Sequence, residues 1–179
     1  MKEIPKTKNA AFISSTISTK ISIEDSFRFV KERLPEYYQK LPDGHEYFRV
    51  VSGNPLAVGE KIEYAEKAGN QSILHDYIVH EVTRNDRIHH SSRPSLVRVK
   101  LPWATIDSKS NTYVYYDFDR DSQGNCLIRL TIGIQFQNIS EKMFSQLFMG
   151  IIPWKKHCLE KMNGLKQVLE KNINKSVNP

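Results

Sequence analysis

"PWKKHCLEKMNGLKQVLEKN", residues 153–172, decides the architecture, because its apolar residues recur at steps of three or four. Trp154, Cys158, Met162, Leu165 and Leu169 continue a stripe that starts upstream at Leu147 and Ile151. Such a stripe marks one face of a long amphipathic helix that must be covered by another layer. His157 borders the stripe, and Glu160 and Lys161 stand about one turn further on, as residues three and four apart do on a helix. Gly150 and Pro153 are expected to kink or split the helix, since proline lacks a backbone donor and clashes one turn back.

The layer that covers this helix is predicted from the segments before it, whose period is two. In "CLIRLTIGIQF" (126–136), Ile128, Leu130, Ile132, Ile134 and Phe136 share one face, with Arg129, Thr131 and Gln135 on the other. That alternation is a strand with one buried side. It pairs as a hairpin with "NTYVYYDFD" (111–119) around "RDSQGN". "HEYFRVVS", "GEKIEYAEKA", "SILHDYIVHEVT", "RIHHSS" and "PSLVRVKLP" are further strands, the last bounded by Pro94 and Pro102. "GNPLAVG" and the stretch 93–110 are expected as loops. Near the start, "FISSTISTKIS" from Phe12 is a first strand. Ser22, with Asp25 three residues on, opens a helix that Pro35 ends before a second short one. The prediction is an α+β domain over residues 11–175, a sheet on a long C-terminal helix, preceded by a flexible segment 1–10.

With 179 residues, one substantial core is the simplest organisation. No run is apolar and long enough to span a bilayer, and the N-terminus lacks an apolar signal core, so stable membrane insertion is not expected and a cytoplasmic address is. Cys126 and Cys158 have no metal or redox spacing and are expected as buried free thiols. The net charge of +6 comes from scattered Lys and Arg, with no basic arm or zinc-finger spacing, which argues against a nucleic-acid partner. There is no phosphate-binding glycine loop, nucleophile elbow or dinucleotide fingerprint.

The order of strand, two short helices, antiparallel strands and long last helix resembles the helix-grip fold of the START-like, or SRPBCC, superfamily, which includes pollen-allergen and polyketide cyclase-like proteins. "VVSGNPLAVGEKIEY" (50–64) is similar to the entry of many such sequences. The resemblance implies a cavity between sheet and last helix that takes a small or medium hydrophobic molecule, such as a lipid, polyketide or aromatic. Tyr77, His80, Ile151, Trp154 and Lys161 are the expected ligand-facing residues. A homodimer is compatible with this expectation.

"PDGHEYF", "LHDYIVHEV" and the helix bearing His157 resemble, more narrowly, the diacetylphloroglucinol hydrolase branch. That branch uses zinc to cleave a carbon–carbon bond beside a ring carbonyl. Carried over, the ligand set implied is His45, Asp76 and His157. Lys161 stands where that branch has a carboxylate, with Glu160 beside it. The alternative function is therefore a zinc-dependent hydrolase, or a cyclase, acting on acylated aromatic compounds, with Tyr77 or His80 carrying the proton. In the metal-free version no cofactor is needed, and Lys161 is itself the positive charge of the cavity, paired with Asp76 or an acidic ligand. Which face of the strand at 72–83 points inward is open, because each face mixes apolar residues with a carboxylate and an imidazole.

Overall fold

The computed structural model describes residues 9–38, 41, 45–51, 56–144 and 151–177; the side chains at 36, 45, 93, 144, 151 and 173–177 lie outside that description. The chain runs β1 (Ala10–Thr19), α1 (Ile23–Tyr38), β2 (His45–Val50), β3 (Lys61–Ala68), β4 (Gln71–Thr83), β5 (Arg87–Lys100), β6 (Thr105–Arg120), β7 (Cys126–Gln135), α2 (Ile139–Phe144) and α3 (Ile151–Val177). The strands make one sheet in the order β1-β7-β6-β5-β4-β3-β2. Every neighbouring pair is antiparallel.

Local chemistry explains the helix boundaries. The Asp25 amide donates to Ser22 Oγ at 3.0 Å, and the Ser22 hydroxyl donates to Asp25 Oδ2 at 2.7 Å, which caps α1. Pro35 has no N–H to give the Lys31 carbonyl. That carbonyl instead accepts from the Leu56 amide at 3.0 Å, while the helix breaks at Arg33, with φ −123° and ψ 17°. The two expected short helices are the two halves of this kinked element. Asn138 Oδ1 accepts from the Glu141 amide at 2.8 Å, so Asn138 is the cap of α2. Pro153 falls within the first turn of α3, where a missing donor costs least. Leu147 and Gly150 lie outside the described residues, as do 1–8 of the segment expected to be flexible, while Ala10 already opens β1.

The stretch 93–110 is not a loop. β5 runs through Pro94 to Lys100, and β6 begins at Thr105. A register shift between Leu74/Asp76 places Pro94 in a bulge, where its lacking donor does no harm to the ladder. A second shift, between Val79 and Glu81, makes His80 the extra residue of β4. Within "GNPLAVG", residues 53–55 lie outside the description and Leu56 is buried.

The inner face of the sheet and the apolar side of α3 share one core, including Ile62, Tyr77, Ile128, Leu130, Cys158, Met162, Leu165 and Leu169. The stripe predicted for α3 is the buried one. Both thiols are free and buried. Among the described residues no helix is long and apolar enough to cross a membrane.

Candidate functional site

Alternation along β3 points Ile62, Tyr64, Glu66 and Ala68 inward, so a glutamate stands on an otherwise apolar face. Along β4 the inward residues are Ile73, His75, Tyr77 and Val79. α3 brings His157 and Lys161, one turn apart, against the same place. Glu66, His75, His157 and Lys161 are all buried, at 2%, 2%, 4% and 0% exposure. Four ionisable groups from three elements therefore meet inside the core.

Lys161 Nζ donates to Glu66 Oε1 at 2.5 Å. The other carboxylate oxygen, Oε2, lies 3.7 Å from His75 Nε2 and 3.7 Å from His157 Nε2. The Tyr38 hydroxyl donates to Glu66 Oε1 at 3.3 Å. The ammonium also sits 4.4 Å from the Tyr38 ring centre and 5.4 Å from that of Tyr64, within cation–π range. Burial alone would raise the Glu66 pKa, but Lys161, His157 and His75 hold the carboxyl well below its usual range. Burial likewise works to lower the Lys161 pKa, and Glu66 outweighs it, so the amine stays an ammonium. The pair is a true ion pair in the core.

An aromatic wall extends from the pair across β4 and β5. His75 stacks 4.8 Å from Tyr77, which meets His90 edge-on at 4.9 Å. His75 Nδ1 is held by the Ser95 hydroxyl at 3.1 Å, and Ser95 in turn meets Thr112 at 2.8 Å. This leaves His75 Nε2 facing inward. His75 Nε2, Tyr77 Oη and His90 Nδ1 are buried with no hydrogen-bond partner in the protein. Burial drives the pKa of His75 down and that of His90 well down, so both imidazoles are neutral at neutral pH. Trp154 closes the end of the wall, its indole N–H donating to Gln71 Oε1 at 2.6 Å.

The residues expected from the sequence divide between inside and outside. His157, Lys161, Tyr77 and Trp154 are buried at the sheet–helix interface. Asp76 is exposed, because the alternation that buries His75 and Tyr77 turns it to the outer face, so it shares no point with His157. His80 is also exposed, turned outward at the bulge, with Nε2 2.8 Å from Ser91 Oγ. Glu160 is half-buried on the solvent side of α3 and faces Lys156 at 3.7 Å. His45 opens β2 opposite Glu66 in the register, but its side chain, like that of Ile151, lies outside the described residues. The partner of Lys161 is Glu66, not Asp76.

The expected zinc set therefore does not fit. Of His45, Asp76, His157 and Glu160, only His157 has a described side chain in the core, and among the described residues no three His, Cys, Asp or Glu side chains are placed to hold a metal ion. Glu66, Tyr38 and Tyr64 are interior residues that the sequence did not single out, whereas His75 lies on one of the two faces of 72–83 left open and His90 is the inward member of the adjacent pair His89 and His90. The signal for Glu66 was its place between Tyr64 and Ala68 on one face of β3.

A long helix packed on a seven-stranded antiparallel sheet, with polar groups buried between them, is the helix-grip fold. Solved structures of the same fold support this. A protein of Thermus thermophilus is 12% identical over 90% of this chain and 99% of its own, with a TM-score of 0.64. A major latex-like protein of Panax ginseng is 11% identical over 84% of this chain and 99% of its own, with a TM-score of 0.55. A protein of the dynemicin biosynthetic locus is 14% identical over 90% of this chain, with a TM-score of 0.53; this chain spans 48% of it. At these identities the likeness concerns the fold. No family model matches the chain, and no curated protein matches it in sequence.

Proposed function

We propose that this protein binds a small or medium apolar molecule, an aromatic or polyketide-like compound carrying hydroxyl or carbonyl groups, between the sheet and α3. The observation that carries the reading is the row of three buried polar atoms that make no close hydrogen bond in the protein, on His75, Tyr77 and His90, set among aromatic rings, with Glu66 3.7 Å from the first of them. A buried polar group left unsatisfied costs about 1–3 kcal/mol. A row of three on one wall is best explained by a ligand that supplies the missing hydrogen bonds. The aromatic surroundings favour a flat apolar body, and the row favours oxygen substituents along one edge.

The ion pair beside the row supports a second, catalytic reading. A carboxylate beside imidazole nitrogens can pass a proton to and from a bound carbonyl or enol, as general acid–base chemistry requires. This version needs no zinc.

Trp154 offers a direct test, because the chain has 2 Trp and Trp103 is exposed. In a Trp103→Phe background, a dihydroxynaphthalene is expected to quench Trp154 emission and to bind more tightly than naphthalene. Tyr77→Phe should remove much of that preference. Equal affinity for both compounds would overturn the polar-row argument, and no quenching by either would overturn the site.

A further inference from the structure

The mismatch with a zinc site has a pattern. Glu66, His75 and His157 present one carboxylate and two imidazole Nε2 atoms to the same small volume, from β3, β4 and α3. Both imidazole nitrogens stand 3.7 Å from one oxygen, Glu66 Oε2. A tetrahedral divalent ion bound by N and O donors at about 2.0–2.2 Å needs its donors roughly 3.4 Å apart. Each imidazole nitrogen thus stands a few tenths of an ångström too far from the carboxylate oxygen, whose partner oxygen already carries an ammonium at 2.5 Å. That ammonium belongs to Lys161, one turn beyond His157. His75 is oriented for such a task, since its Nδ1 is fixed by Ser95 and its Nε2 faces the carboxylate.

We infer that the protein carries the cation of this site on its own chain: Lys161 takes the place of a divalent metal among Glu66, His75 and His157, and removing its charge opens a latent metal site. The donor set, two imidazoles and a carboxylate, is one that Zn²⁺ and Co²⁺ accept. In the native protein a divalent ion would have to enter beside an ammonium fixed on the same carboxylate, and mutual repulsion keeps it out. Exchanging Lys161 for glutamate reverses this, because it removes the ammonium and adds a fourth donor one turn from His157. The inference does not require a ligand along the aromatic wall, although His75 Nε2 belongs to both arrangements.

The test titrates Co²⁺ into the full chain and follows its visible spectrum, with Zn²⁺ calorimetry alongside. The native protein is expected to show no stoichiometric site. Lys161→Glu is expected to take up one Co²⁺ per chain with the intense bands of tetrahedral coordination. Its affinity should exceed that of the native protein on the order of 100-fold, and His157→Ala in the same background should reverse most of that gain. Lys161→Met, with three donors and no added charge, should fall between. A native protein that binds Zn²⁺ as tightly as Lys161→Glu would overturn the inference, as would folded Lys161→Glu and Lys161→Met proteins that both bind no better than native. If neither variant folds, imidazole ¹⁵N spectra of the native protein decide. Unmoved His75 and His157 signals in excess Zn²⁺ support the exclusion, and signals that shift with one equivalent refute it.

Discussion

The protein buries two charged clusters, one on each side of its sheet. On the outer face, Asp117 of β6 is enclosed by Arg87 and Arg129 from the flanking strands, with contacts at 2.5 Å and 2.6 Å. Arg87 also lies over the Tyr115 ring at 5.1 Å. On the inner face, Glu66 meets Lys161 at 2.5 Å but has both imidazoles at 3.7 Å. The outer cluster is tied together by neighbouring strands, and its carboxylate oxygens are each taken by a guanidinium. The inner one joins the sheet to a helix nearly a hundred residues away and leaves polar atoms of its wall without partners. A carboxylate with both oxygens bound by guanidinium groups fixes a fold, even though His89 Nε2 beside it makes no hydrogen bond. A row of such atoms beside a buried ion pair points to something the protein does.

The largest effects should come from breaking either pair. Asp117→Ala leaves two guanidinium groups without their carboxylate, and Lys161→Met leaves Glu66 buried without its cation. Each should cost about 3–5 kcal/mol in chemical denaturation, the scale for stranding a buried charge. The clusters should differ in the repair. Glu66→Gln combined with Lys161→Met should recover most of the stability, because the inner pair is replaceable by neutral groups. Binding of an aromatic probe should survive Asp117→Ala in the folded fraction but not the inner double change. Recovery without loss of binding would remove the functional contrast between the two faces.

A smaller effect of opposite sign is expected at the row of unpartnered atoms. Tyr77→Phe deletes a buried hydroxyl that makes no close hydrogen bond, with Thr112 and Tyr64 its polar neighbours. It should leave the free protein unchanged or more stable by about 1 kcal/mol, while weakening a hydroxylated ligand about tenfold. A clear loss of stability in the free protein would show that the hydroxyl serves the fold.

The gentlest probe is acid. Burial lowers the pKa of His75 and His90, and pushes His89, on the outer face, to about 4. The unfolded chain takes up these protons as pH falls through about 6.5, the folded chain only at lower pH, so stability is lost as pH drops below that point. Glu66, lowered in the fold, contributes stability that is present above its unfolded pKa of about 4.5 and lost as pH falls through its folded value. Thermal midpoints should therefore decline in two stages on acidification. His90→Phe should flatten the first stage, and an unaltered slope would show that His90 does not carry it.

Much of the fold was legible because period and punctuation agree. Ile128 to Phe136 alternate cleanly, the α3 stripe repeats without interruption, and Ser22 caps α1 as its side chain permits. Pro94 reads as a strand limit, but a bulge carries β5 through it. The site was harder to see. His157, Lys161 and Trp154 lie on or beside the helical stripe, and Tyr77 on one of two candidate faces. On β4, exposed Leu74 and buried His75 reverse what hydropathy alone would choose. The choice is made by Glu66 on the next strand and Lys161 on α3, partners that no local pattern reveals. Asp76 and His80 were chemically suitable residues on the wrong side of the sheet.

The strand order also dictates when the fold can close during synthesis. Among the described residues β1 lies at one edge of the sheet and pairs only with β7, with Ala10 opposite Gln135 and Thr19 opposite Cys126. The first strand made must wait, unpaired, for the last. Until α3 follows, Glu66 has no ammonium to meet. Nascent chains ending before residue 151 should therefore remain open and protease-sensitive, and the final helix should convert them to a closed state in one late, slow step, as pairing across such a separation requires.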